Sequence, residues 1–254
     1  MNNLRLELMI TNTDFNFKSN KAFTLELPLY EHIEELRQRC FHIFWILLIL
    51  TCIAFIEVKV LVQILELPVN NVKFFQLSPG EYFFSTIKIS FYTGLIFSSP
   101  FAVSQIILFL LPGLTETETK IILPLFIGSL ILFSLGLLFS YYTLIPAALN
   151  FFLNYSYEVI EPLWSSDQYF EFILVLFWGA GLAFQIPILQ ILVGLLNIIS
   201  AKQMLASWRY MILVSTIIGA ILTPSTDPFT QILFSIAILL LYFSGIGILF
   251  LIKN

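Results

Sequence analysis

The chain has 254 residues, 59% of them hydrophobic and only 11% charged, with a formal net charge of −4. A soluble domain carries about a quarter charged residues, so a soluble fold is excluded, and several apolar runs exceed the ~20 residues that span a bilayer. There is no basic stripe for nucleic acid, and no hydrophilic stretch is long enough to fold as a separate domain.

Residues 1–27 mix polar and apolar positions and are expected to form an N-terminal tail. The run LRLELMI (residues 4–10) is too short and too charged for the apolar core of a signal peptide, so the first span is expected to be retained. The stretch Pro28–Arg39 is the most heavily charged in the chain: Glu31, Glu34 and Glu35 stand beside Arg37 and Arg39. Leu29, Ile33, Leu36 and Cys40 fall on one helical stripe, and Pro28 fits a first turn. Glu35 lies one turn before Arg39, the favourable order for an ion pair. The pattern predicts an amphipathic helix ending at a membrane boundary. Read by itself, its charge also fits a solvated face whose arginines set topology. Cys40 and Cys52 are too far apart on one helix for a disulfide and read as small apolar residues.

Six spans follow, at about 41–57, 83–111, 121–145, 169–196, 208–222 and 229–252, within one membrane domain over 28–252; residues 253–254 form a C-terminal tail. Pro100 lies inside the second span and Pro187 interrupts the fourth. Pro124 sits in the first turn of the third span, and Pro146 is expected to end it. Stretches 58–82 and 146–168 read as connections. With both termini on the cytoplasmic or stromal side, that side holds nine of the Lys and Arg residues, while the other holds only Lys59, Lys73 and Lys88. The fifth span has about 15 apolar residues, roughly 22 Å of helix, against a ~30 Å hydrocarbon core. It must thin the bilayer or sit against taller neighbours. The expectation is an all-α, concave six-span bundle with short fifth and sixth spans.

Signals of catalysis are missing: no phosphate loop, no HExxH, no Cys/His metal spacing. No enzyme activity, cofactor or metal is expected. His32 reads as an interfacial polar residue. In the loop FLLPGLTETETK, Pro112-Gly113 stops the second span, and Thr115 with Glu118 fits a capping box. Glu118 with Glu35 would attract a cationic ligand on the inner face, an arginine above all. Lys88 is read as snorkelling to the outer interface. Gln185, deep in span four, fits either helix–helix hydrogen bonding or a polar docking site for a partner. Asp227 fits a turn former. The sequon Asn154-Tyr-Ser156 is set aside.

The segments PLYEHIEELRQR, FLLPGLTETE, FQIP (Phe184–Pro187) and TPSTDPFTQ, in this order across residues 26–252, closely resemble the TatC family, the multispanning subunit of the twin-arginine protein translocase. The resemblance implies recognition of signal peptides carrying consecutive arginines and transport of folded proteins driven by the proton-motive force. It implies assembly with small single-span subunits (TatA and TatB types) and with other copies of the chain. By the same resemblance Glu35 and Glu118 are the signal-recognising carboxylates, with Arg37, Arg39, Phe109 and Pro112 beside them. Gln185 stands where many members carry Glu, so hydrogen bonding rather than titration is expected at this partner-docking position, and Asp227 matches the acid of the outer turn. EHIEELRQR looks like the cyanobacterial and plastid branch, which with the Phe-, Ile-, Leu- and Asn-rich composition points to a thylakoid membrane, the alternative being a bacterial inner membrane. A polytopic solute or ion transporter is the competing class, and a passive assembly subunit a third.

Overall fold

The computed structural model describes residues 29–68, 73–76, 78–110, 116–156, 163–223 and 227–253. The chain divides into two compact units, Met1–Gln38 and Arg39–Asn254. The secondary structure is nearly all helical: α1 (Leu29–Ile56), α2 (Val58–Glu66), α3 (Glu81–Leu110), α4 (Glu116–Phe139), α5 (Ile145–Ser156), α6 (Ser166–Ala183), α7 (Ile186–Leu195), α8 (Ala201–Ala206), α9 (Trp208–Leu222) and α10 (Pro228–Lys253). Two three-residue strands, β1 (Lys73–Phe75) and β2 (Leu163–Ser165), complete the described elements. Five helical segments are long and apolar enough to cross a membrane, and α9, with 15 residues, is the shorter sixth.

The boundaries differ from the expected ones in four places. First, α1 runs without a break from the charged stretch into the first span, because neither Gly nor Pro interrupts Leu29–Ile56. Second, Pro146 does not end the third span. The helix continues through a π turn, Ser140–Leu144, in which the Ile145 N–H reaches Ser140 O, and then through α5 to Ser156. Widening the turn relieves the clash between a proline ring and the preceding carbonyls. Third, the sequence stretches 58–82 and 146–168 carry structure. β1 and β2 pair in parallel, Phe74 opposite Trp164, which a short connection cannot achieve; here α3 to α5 form the crossover. Fourth, the sixth span is not short: α10 has 26 residues, and α9 alone is short.

The core forms at helix crossings. Ile89 of α3, Ile145 and Leu149 of α5, and Tyr169, Phe170 and Ile173 of α6 bury together, with Val62 and Leu65 of α2 on the same cluster. Phe74 of β1 stacks on it, 4.8 Å from the Tyr169 ring, and the Tyr169 hydroxyl donates to Leu65 O at 2.7 Å. Ile107 of α3 and Leu125 of α4 pack on Ile188, Ile191 and Leu192 of α7. By contrast, Ala54 is the only buried residue among those described in α1.

Within α4 and the π turn the buried positions are Leu125, Ser129, Phe133, Gly136, Ser140 and Leu144, a stripe at three- and four-residue spacing. Small residues on it let α6 approach: Phe133 fills the space over Gly181, and Phe184 fills the space over Gly136. This is how transmembrane helices associate where lipid is as apolar as the side chains.

Candidate functional site

At the charged start of α1, Arg37 and Glu34 form a forked pair one turn apart. The Arg37 Nε–H donates to Glu34 Oε2 at 2.9 Å and Nη2 to Oε1. Gln38 Nε2 adds a third donor at 3.4 Å. Glu34 is therefore already engaged by a guanidinium. Glu35, the next residue, projects about 100° further round the helix and is half-buried.

Arg39 belongs to the second unit, and its guanidinium goes to the end of α3. Nη1 donates to Gln105 Oε1 at 3.2 Å and Nη2 to Leu108 O at 3.4 Å. A cation there satisfies a terminal carbonyl and complements the helix dipole. Arg39 thus fastens the end of α3, from which the chain leads to α4. Phe109, beside it, is half-buried. Pro112 and Thr115 lie outside the described residues. Glu118 falls in the first turn of α4, a favourable place for a carboxylate; its side chain also lies outside the described residues.

The fourth span breaks between α6 and α7 at Phe184 and Gln185, with Pro187 in the first turn of α7, where its missing N–H costs nothing. Gln185 is 6% exposed. It accepts from the Ser129 hydroxyl at 2.8 Å and donates to Ser129 O at 3.0 Å. Of the two roles the sequence allowed, hydrogen bonding between helices is the one these contacts provide. Gln185→Leu is expected to cost about 0.5–2 kcal/mol, the range for interhelical hydrogen bonds in membranes. Thermal unfolding in detergent, in a cycle with Ser129→Ala, checks it: the two losses should not add.

Asp227 is 1% exposed and caps α10. Its Oδ2 accepts the Thr230 N–H at 2.9 Å and the Thr230 hydroxyl, and Pro228 follows it as the first helical residue. The turn-forming role expected of it is thereby specified as an N-cap.

One cluster was not anticipated. Lys88 of α3 does not merely snorkel: Nζ donates to Asp167 Oδ2 at 2.9 Å and Glu171 Oε2 at 2.8 Å, both on α6. Ser85 donates to Asp167 Oδ1 at 2.9 Å. The buried Glu81 accepts the Asp167 N–H at 3.3 Å and the Ser165 hydroxyl at 2.5 Å. The spacing was readable, because Glu81, Ser85 and Lys88 share one helix face and Asp167 and Glu171 another. Only the fold shows that the two faces meet. These charges occupy the first turns of their spans, and their contacts fasten α3 to α6.

Among the described residues no group of three or more His, Cys, Asp or Glu is placed to hold a metal ion. Residues 31–236 match the family model described as Sec-independent protein translocase protein (TatC). A TatC-like protein of Trieres chinensis is 78% identical over 99% of this chain and 95% of its own length. The TatC protein of the cyanobacterium Synechocystis is 52% identical over 88% of each chain. The chloroplastic TatC protein of Pisum sativum is 49% identical over 87% of this chain and 63% of its own. A crystal structure of the twin-arginine translocase receptor TatC superposes with a TM-score of 0.78 at 35% identity, covering 88% of this chain and all of that one. The six-span arrangement, the motif order and these likenesses agree: the chain is a multi-pass membrane protein and belongs to the TatC family of Sec-independent protein translocase proteins.

Proposed function

We propose that this chain reads twin-arginine signal peptides at Glu35 and Glu118 and scaffolds a translocase with small single-span TatA- and TatB-type subunits. The observation that carries it is the likeness to the crystal structure of the twin-arginine translocase receptor TatC, at a TM-score of 0.78 and 35% identity, together with a family match over residues 31–236 that spans both carboxylates. At the start of α1 the Glu34 carboxylate holds Arg37 and Gln38, and Glu35 projects to a different side of the helix. A fixed planar fork favours arginine over lysine at such a site. Phe109, near the end of α3, and Pro112 accompany Glu118 in one sequence motif. The chloroplastic and cyanobacterial relatives support a thylakoid membrane, with a bacterial inner membrane as the other setting.

Photo-crosslinking from probes at positions 35 and 118 to a twin-arginine peptide tests this reading. Contact should form with the twin-arginine peptide and be lost when both arginines are lysines. Equal contact, or none, would return both carboxylates to topology and capping.

A further inference from the structure

We propose a binding site for one anionic membrane lipid at the junction of α8, α9 and α10. A groove of about 580 Å³ opens there, lined by Lys202, Leu205, Ala206, Trp208 and Phe243. The Arg209 guanidinium lies over the Trp208 ring, 5.7 Å from its centroid. Lys202 and Arg209 are both exposed, and neither pairs with a described carboxylate. From residue 172 to the end of the chain Asp227 is the sole acid. It is buried as the cap at the opposite end of α10. The groove therefore has Lys202 in its lining and Arg209 over its Trp208 wall, and among the described residues neither cation has an anionic partner.

Depth favours an anion. Tyr242 of α10 donates to Met204 O of α8 at 2.6 Å, and Ala201 and Met204 of α8 bury with Tyr242, Ile246 and Leu249 of α10. α8 therefore lies along the later turns of α10, which continues to Lys253, roughly 6–16 Å further along its axis at 1.5 Å per residue. Cations set back from the end of an apolar helix draw lipid headgroups inward. An anionic headgroup meets both cations, and the indole of Trp208 suits the interface between headgroup and chain. The acyl chains have a path. Phe243, Leu240 and Ile236 form an exposed apolar stripe leading from the groove along α10, with Ile212 exposed on α9. The same lipid would shorten the local bilayer to fit the 15 residues of α9.

The test uses the full chain in phosphatidylcholine vesicles in which a small fraction of lipid brominated near the headgroup is raised stepwise. The brominated lipid is either phosphatidylglycerol or phosphatidylcholine. The signal of Trp208 is the difference between the native chain and Trp208→Phe. Brominated phosphatidylglycerol should quench that signal at a several-fold lower fraction than brominated phosphatidylcholine, roughly five-fold for each cation engaged. Lys202→Gln with Arg209→Gln should remove the excess and leave the phosphatidylcholine quenching unchanged. Equal quenching of the native chain by the two lipids overturns the proposal without reference to any charge variant. So does an excess that survives the double substitution.

Discussion

Glu118→Gln is expected to weaken binding of a twin-arginine peptide by roughly ten- to a hundred-fold. A charge-assisted hydrogen bond contributes ~1.5–3 kcal/mol, and each 1.4 kcal/mol is about a factor of ten in affinity. Gln keeps the volume and one acceptor but loses the charge, so the forked contact with a guanidinium is lost. Glu35→Gln should act in the same way. Glu34→Gln should act differently, since that carboxylate already holds Arg37. Its removal takes the Glu34 charge away from the Arg37 cation, two residues along from Glu35, so the loss should be repulsive in origin and shrink as salt is raised. Peptide affinity measured for the three variants at low and high salt separates the two cases. If Glu34→Gln proves the most damaging and salt leaves it unchanged, the assignment of roles within this helix is wrong.

The spans were legible because each is a long apolar run, and the break in the fourth was legible because of Pro187. The faces were not. On α4, Leu123, Ile127, Ile131, Leu135 and Leu138 are exposed while Leu125, Phe133 and Leu144 in the same continuous helical segment are buried. In water the exposed set would be polar and the pattern would show the inner side. In lipid both faces are apolar, so only small and polar residues distinguish them. Ser129, Gly136 and Ser140 mark the inner stripe of α4 and the π turn, yet nothing in the sequence says which helix they meet. The charged motifs Pro28–Arg39 and TPSTDP were legible for the opposite reason: charge is rare in this chain, so each charged group has a strong local meaning. The Arg39 contact with Gln105 spans 66 positions. The parallel pairing of β1 with β2 likewise depends on a crossover of three helices, and no local pattern encodes either. Pro146 misled because its effect is set by the turn before it. A π turn admits a proline that a regular α-helix does not.

Gly136→Leu is expected to be among the most destabilising single changes in the membrane domain. Even a Cβ on Gly136 would stand 2.8 Å from the Ala180 carbonyl oxygen and 3.0 Å from Cγ of Phe184. The first neighbour is backbone and cannot rotate away, so α4 and α6 must separate. Phe184 is held in turn by its ring contact with Phe139, 5.6 Å between centroids. The separation would propagate along the stripe. One turn away Phe133 would lift from Gly181, and two turns away Ser129 would lose Gln185, leaving a buried amide and hydroxyl unsatisfied. Overpacking alone costs about 1–3 kcal/mol, and the lost hydrogen bonds add roughly 0.6 kcal/mol each. Gly247 provides the comparison. It also lies in a membrane helix, but a Cβ there would meet nothing within 4 Å, so Gly247→Leu should be nearly neutral. Thermal unfolding of both variants in one detergent decides the matter. Equal stability of the two would mean that α4 and α6 do not rely on close backbone approach, and that the small residues of the stripe reflect composition rather than packing.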